Sequence, residues 1–265
     1  MKPFKLFVVL SLCPLLSFAR DYQDYPDYNA EISYHRGHIV KNSNHLWVAR
    51  IRSKGKKPES HRIHWQRVKL EKVDNWSRRT FYLAGAVVHY SDKHYFAKSL
   101  TFFRPGGWLG RRSWESFSHP AIGLDLPVVD WEESRQQLEG IDANFNGLRD
   151  DYEAYVIMKS PSERARNIGM RAGALYTSVI NLIGTDVSEM THEDAASMMN
   201  ELINMRRCSR TLRRGNQNFQ GFHPGFFNTT DRMLGSFQGQ YKLYDLLGDH
   251  FRPTVEEDPC EQFDI

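Results

Sequence analysis

No stretch of this chain reaches the roughly 18 consecutive apolar residues that a membrane-spanning helix needs, so no transmembrane segment is expected. Cysteine is scarce: Cys13, Cys208 and Cys260 are the only three, and none has a partner at Cys-x-x-Cys spacing. That excludes the zinc-ribbon and thioredoxin-like classes. The Gly-x-Ser-x-Gly elbow, the Walker loop and the dinucleotide fingerprint are all missing, and with them the commonest hydrolase, nucleotidase and dehydrogenase signatures. His192-Glu193-Asp194-Ala195-Ala196 begins like a zinc-protease motif, but Ala196 stands where the second histidine ligand is required. There is no internal repeat and no low-complexity tract.

The longest apolar run, Leu6 to Leu16, is short, follows Lys2 and Lys5, and leads to small residues at Ser17 and Ala19. This pattern predicts a signal peptide over 1–19 and a periplasmic or secreted chain starting near Arg20. A lipid anchor on Cys13 is disfavoured by Leu12, which stands where a small residue is needed. Removal of Cys13 leaves Cys208 and Cys260, an even pair in an oxidising compartment. Bridged, they close a loop of about 53 residues, valued at roughly 4 kcal/mol by the chain-entropy model.

Residues 142–153 carry the densest chemical signal. Calcium takes six to eight oxygens, and an EF-hand loop supplies them from positions 1, 3, 5, 7, 9 and 12, with glycine at 6 for the turn. Those positions hold Asp142, Asn144, Asn146, the Leu148 carbonyl, Asp150 and Glu153, and Gly147 stands at the turn. Arg149 replaces the apolar residue usual at position 8, and no second loop follows. The expectation is therefore one structural Ca2+ site rather than a cooperative sensor. Three carboxylates and two neutral amides predict weak binding, near the extracellular range of ~10⁻⁴–10⁻³ M. The alternative is an Asx-rich turn that merely caps the following helix.

The predicted fold class is α+β. A flexible arm is expected over 20–30, then a basic β-rich domain over 31–126 forming a small antiparallel sheet or partly open barrel. Strands are expected at 47–51, 79–83, 86–90, 95–96 and 99–103, with a hairpin turn at 91–93. A helical domain is expected over 127–250, followed by a tail, 251–265, tied by the disulfide. Asp130 and Glu133 predict a capped helix running to Gly140, and further helices are expected at 152–158, from Ser160 to Gly184, from Thr191, and from Thr229 or Thr230 to Leu247. Residues 218–227 read as a loop.

The loop Asp142–Glu153, Cys208 and the segment Asn228-Thr229-Thr230-Asp231-Arg232 together resemble a group of exported Gram-negative bacterial proteins. These proteins, largely without assigned activity, carry a lone Asp-x-Asn-x-Asn-Gly-x-Arg-Asp-Asp-x-Glu loop followed by helices. The resemblance covers roughly 138–245. It implies a periplasmic or secreted calcium-binding protein and supplies no reaction.

The β half lies outside that resemblance and has its own signature. From Arg50 to Arg112 there are sixteen Lys/Arg against four carboxylates, although the whole chain carries only +3. Trp65, Trp76, Trp108 and Trp114 are interspersed among these cations. Trp108, Trp114, Arg111 and Arg112, on a glycine-rich loop, are the candidate ligand-binding residues. Aromatic and guanidinium groups together suit an anionic, ring-containing polymer, and export makes nucleic acid an unlikely one. The pairs His35/His38 and His61/His64 would point to opposite faces of a strand, which argues against a transition-metal site. The functional expectation is a non-enzymatic binding protein whose β domain contacts an anionic envelope polymer or a protein partner. Two alternatives are an envelope glycan hydrolase with a structural calcium, and an immunity-type protein that blocks a secreted partner. No catalytic residue is assigned.

Overall fold

Two hairpins with the same two-residue turn organise the β half. Strands β2 (Ile39–Asn42) and β3 (His45–Ala49) are joined by Ser43 and Asn44, at φ 49° and 65°. Strands β6 (Val87–Tyr90) and β7 (Lys93–Ala97) are joined by Ser91 and Asp92, at φ 48° and 58°. Positive φ at both central residues gives the turn whose twist matches that of the strands, and Asn and Asp tolerate it best after glycine. Around these hairpins the computed structural model, which describes residues 19–264, builds two sheets. The signal peptide expected over 1–19, with Cys13, lies outside the described residues except for Ala19.

One sheet is antiparallel, in the order β2-β3-β4, with β4 at Trp65–Arg67. The other has the order β1-β8-β7-β6-β5, where β1 is Arg20–Asp21, β5 is Val73–Asn75 and β8 is Trp114–Ser118. Its centre is antiparallel, but β5 joins β6 and β1 joins β8 in parallel. The expected antiparallel sheet is thus a mixed one with parallel edges. Strand periodicity divides the core. On β3, Leu46 and Val48 face one cluster, whereas Trp47 and Ala49 face a second with Tyr34, Val40 and Trp65.

The segment 20–30 is not the flexible arm expected from its polar composition. Tyr22 and Tyr25 are buried in the main β-side core, and β1 pairs with β8. The aromatic rings supply enough apolar surface to hold a segment that has few aliphatic residues. The strands expected at 79–83 and 99–103 reduce to a single bridge, Tyr82 to Thr101.

The chain becomes helical from α1 (Trp131–Gln136), followed by α2 (Asp150–Lys159), α3 (Glu163–Asn181), α4 (His192–Gly215), α5 (His223–Phe226) and α6 (Thr230–Leu247). Three of their starts follow the expected caps, whereas α3, expected from Ser160, is capped by Ser162. Asp130 accepts from the amides of Glu132 and Glu133, Thr191 and Asp194 form a reciprocal capping box, and Thr229 accepts from Arg232. Helix α1 stops at Gln136, short of Gly140, because the carbonyls that follow are drawn into contacts described below. The loop expected at 218–227 contains the single turn α5.

Helix α6 lies against both α3 and α4. A Cβ at Gly239 would stand 2.2 Å from the Val179 carbonyl oxygen, so only glycine allows α6 to approach α3 this closely. Helix α2 serves both halves: Tyr152 and Val156 enter the helical core, whereas Ala154 and Ile157 enter the β-side core with Leu46, Val48 and Phe96. The disulfide Cys208–Cys260 joins α4 to the tail, whose Phe263 returns to the helical core.

Replacing both Cys208 and Cys260 by Ser should lower unfolding stability by roughly 2–4 kcal/mol. Denaturant unfolding of the variant against the oxidised wild type measures this. Equal midpoints would show that Phe263 and the Arg164–Asp264 ion pair hold the tail unaided.

Candidate functional site

The loop between α1 and α2 closes on itself through the Asp150 amide, which donates to the Ile141 carbonyl at 2.8 Å. Inside it, Asp142 accepts from the amides of Asn146 (3.1 Å) and Gly147 (2.8 Å). Asn144 and Asn146 accept from the amides of Asn146 and Leu148 through their side-chain oxygens. Gly147, at φ 84°, and Phe145, at φ 57°, supply the two left-handed residues that turn the chain inward. The side-chain amide nitrogens of Asn144 and Asn146 both donate to Glu153 Oε2, at 3.0 and 3.1 Å. Asn144, Asn146 and Glu153 thus converge although they come from loop and helix, and Asp142 and Asp150 flank them.

The electrostatics of the loop run against leaving these carboxylates alone. Burial raises the Glu153 pKa, opposed by its two asparagine bonds and reinforced by Asp150 and Asp125. Burial also raises that of Asp150, opposed by the Ala143 amide and reinforced by Asp142 and Asp151. A hard cation would relieve both groups, and Asp142, Asn144, Asn146, the Leu148 carbonyl, Asp150 and Glu153 are the oxygens it would take. Among the described residues, no group of three or more His, Cys, Asp or Glu side chains is placed to hold a metal. The loop is a mixed set of carboxylates, amides and a carbonyl, as suits calcium rather than zinc.

Immediately behind the loop lies a buried ionic cluster that sequence reasoning missed. Arg149 does not face a second loop; it turns inward, donating to Asp151 Oδ1 at 2.6 Å and to the Phe226 carbonyl at 2.7 Å. Its guanidinium stacks over the Phe226 ring, 4.4 Å from the centroid. Arg232, fully buried in the first turn of α6, donates to Asp151 Oδ2 at 2.9 Å and to Asn228 Oδ1 at 2.6 Å. Its remaining donors reach the carbonyls of Ser134, Gln137 (2.9 Å) and Leu138 (3.1 Å), where α1 ends. Asn228 Nδ2 completes Asp151 at 3.1 Å. The Asn228–Arg232 segment of the resemblance is therefore the clamp that holds the back of the loop. A Cβ on Gly140, at φ 71°, would fall 2.1 Å from Arg149 Cδ and 2.8 Å from Arg232 Nη2.

In the β half, Trp108 is 84% exposed, and Arg111 and Arg112 beside it are also exposed. Trp114 is not a surface residue: it is 4% exposed, donates to the Phe103 carbonyl at 2.7 Å and packs edge-on against Tyr82. The 104–113 loop turns back tightly on the Arg104 carbonyl at Gly110 and delivers Trp114 into β8. The proposed ligand set therefore reduces to Trp108, Arg111 and Arg112. Trp65 is buried as well, donating to the Lys56 carbonyl at 2.7 Å. Ion pairs within the basic run reach Glu59, Glu71 and Glu115, all in the same half. Arg50, Arg52, Arg62, Arg78, Arg79 and Arg104 are exposed.

The histidine pairs lie in turns, so His35 and His38 stand 5.5 Å apart and His61 and His64 6.1 Å apart, rather than on opposite strand faces. His45 and His119 are structural. Burial, with Arg67 adding to it, pushes the His45 pKa down to about 3, and burial pushes that of His119 down to about 4. Several of the carboxylates that line cavities are engaged elsewhere. Glu59 and Glu71 pair with Lys57 and Arg67 beside a cavity of about 420 Å³. Asp194, in a cavity of about 600 Å³, belongs to the α4 capping box, and Glu201 lines the same cavity.

No protein-family model and no curated protein matches this chain.

Burial works to raise the Asp151 pKa, but Arg149, Asn228 and Arg232 outweigh it and hold the carboxyl below the usual range. Its charge therefore stabilises the fold above the unfolded pKa of about 3.9, and that contribution is lost as pH falls through the lower folded value. His45 and His119 act earlier. Below about 6.5 the unfolded chain takes up protons that the folded chain refuses, so stability already declines there. Asp151→Asn should cost on the order of 3–5 kcal/mol at neutral pH by stranding two guanidinium groups. The deficit should shrink below about pH 4, with the decline near 6.5 retained. Denaturant unfolding as a function of pH checks both; a constant deficit would show that Asp151 is not charged in the fold.

Proposed function

We propose that this chain is an exported calcium-binding protein without catalytic activity, and that its basic β half contacts an anionic component of the cell envelope. The observation that carries the calcium reading is the convergence on Glu153. Two amide donors from Asn144 and Asn146 neutralise one of its oxygens where a cation would otherwise stand. A modest rotation of those amides presents oxygens instead of N–H groups, converting the same cage to a cation site. The ion's role would be structural. Glu153 belongs to α2, whose two faces serve both cores, so fixing it to the loop fixes the helix on which both halves rest.

The contact reading rests on the charge run. The exposed arginines of 50–112 repel one another, and the carboxylates that pair with this run come from the β half itself. An external polyanion would relieve that repulsion. Trp108 stands ready to stack on a ring beside Arg111 and Arg112.

Calcium at 100 times its dissociation constant should stabilise the fold by about 2.7 kcal/mol. Thermal melts in excess calcium and in chelator test this, with Glu153→Gln expected to abolish the difference. Unchanged midpoints for the wild type would remove calcium from the account.

Retention on immobilised heparin, used as a soluble polyanion probe, should weaken steeply with salt because neutralised charges release counterions. The Arg111→Ala/Arg112→Ala double variant should have a shallower salt slope, whereas Trp108→Ala should lower affinity at an unchanged slope. No retention at low ionic strength would refute the contact reading.

A further inference from the structure

The bridge at Tyr82 and Thr101 inverts the usual arrangement of a surface ribbon. The two residues exchange backbone hydrogen bonds at 2.7 and 2.9 Å, and both side chains are buried. Antiparallel pairing then sets Phe81 opposite Phe102 and Leu83 opposite Leu100 on the outer face. The two phenylalanine rings meet edge to face at 5.4 Å. These four side chains are between 47% and 69% exposed. A solvated ribbon places polar residues there, so a contiguous apolar face marks a contact surface.

The apolar face continues. Leu83 and Leu100 line a groove of about 370 Å³ with Ile51 and Ile63, which are themselves exposed. Arg36, Arg50 and Lys98 also line it, and among the described residues along it none is a carboxylate. Lys98 is paired with Glu115 at 3.1 Å, whereas Arg36 and Arg50 are exposed. Arg50 and Gln66 also border the neighbouring 420 Å³ groove, where Arg62 and Lys69 add exposed cations and the two glutamates, Glu59 and Glu71, are paired with Lys57 and Arg67.

From this juxtaposition we infer that the β half docks on the surface of an anionic lipid bilayer. The Phe81–Leu83 and Leu100–Phe102 ribbon, with Ile51 and Ile63, enters the headgroup–acyl boundary, and the surrounding arginines meet lipid phosphates. Aliphatic and phenyl side chains without polar tips gain by leaving water for the acyl boundary, and cations around them gain from a negative surface potential. A hydrated glycan offers the cations the same charge, but it leaves the four outward side chains of the ribbon with nothing to bury against. Charge alone thus fits either occupant, and the apolar face selects the bilayer. This inference rests on the proposed anionic contact and names its chemistry.

The test is co-sedimentation of the full chain, in calcium, with phosphatidylglycerol-containing vesicles and with pure phosphatidylcholine vesicles, alongside heparin retention. The wild type should bind the anionic vesicles and not the neutral ones. The Leu83→Ser/Leu100→Ser double variant should lose roughly tenfold in partitioning per leucine while keeping heparin retention and its melting temperature. The two side chains are exposed, so the fold does not need them. Heparin retention with no vesicle binding, or vesicle binding unchanged in the double variant, would overturn the bilayer surface and leave the anionic contact standing. Equal binding to neutral vesicles would overturn the part assigned to the arginines. Binding to neither anionic vesicles nor heparin would remove this inference and the contact reading together.

Discussion

Asp151 sits between two buried guanidinium groups, and much of the helical half is arranged to make that possible. One carboxylate cannot balance two cations in a low-dielectric interior, so the excess positive charge must meet backbone carbonyls. Four are provided: Phe226 for Arg149, and Ser134, Gln137 and Leu138 for Arg232. These come from the end of α1 and from α5, which explains why α1 stops early: carbonyls turned toward Arg232 do not continue a helix. Placing Arg232 in the first turn of α6 opposes the helix dipole, whereas Asp151 in the first turn of α2 is favoured by it. The acid is thus the energetically natural centre and the arginines are drawn to it.

The same cluster accounts for a single loop of this form standing without a partner. In paired loops the position-8 residue is apolar and bridges to its twin. Here position 8 is Arg149, and its inward turn substitutes an ionic anchor for the second loop. Loop and cluster share α2: Glu153 faces the loop, Asp151 the cluster, and Tyr152 the helical core one residue away. A change at Glu153 would therefore be felt by a helix packed into the helical core. The β half feels it too, through Ala154 and Ile157.

What was legible in the sequence was what depends on near neighbours. The caps at Asp130, Thr191 and Thr229, the turn at Ser91–Asp92 and the loop at 142–153 are all set by residues within a few positions, and the structure has those helix starts and that turn where the spacing put them. Strands β2, β4, β5 and β8 were not legible. Trp65-Gln66-Arg67 and Val73-Asp74-Asn75 have little β propensity of their own and are extended because a neighbouring strand pairs with them. The 79–83 and 99–103 segments misled in the opposite sense. Their alternation is strand-like, but one bridge is all that forms. Least legible was the Arg149–Asp151–Arg232 cluster, because Arg232 and the Phe226 carbonyl reach it from more than seventy residues away. The one local trace was the charge at position 8, which marked a departure without saying where it led. At the candidate contact surface, composition gave the basic run and the exposure of Trp108. It did not separate Trp114 from it, because only the fold of the 104–113 loop decides which tryptophan turns inward.

The chain thus uses arginine in two opposite ways. In the helical half the buried guanidinium of Arg232 uses all three nitrogens on fixed acceptors, and that of Arg149 uses two, with its Nη1 left unpartnered. In the β half the arginines stand at the surface and add repulsion that a smaller net charge would avoid. Salt screens such charges over about 8 Å at physiological ionic strength, which makes the arrangement tolerable without making it useful to folding. The outward ribbon at Phe81–Leu83 and Leu100–Phe102 has the same character: it leaves apolar area in water that polar residues would occupy at less cost. Two features that both oppose the isolated fold adjoin at Arg50, Leu83 and Leu100, and the proposed anionic bilayer would accommodate both at once.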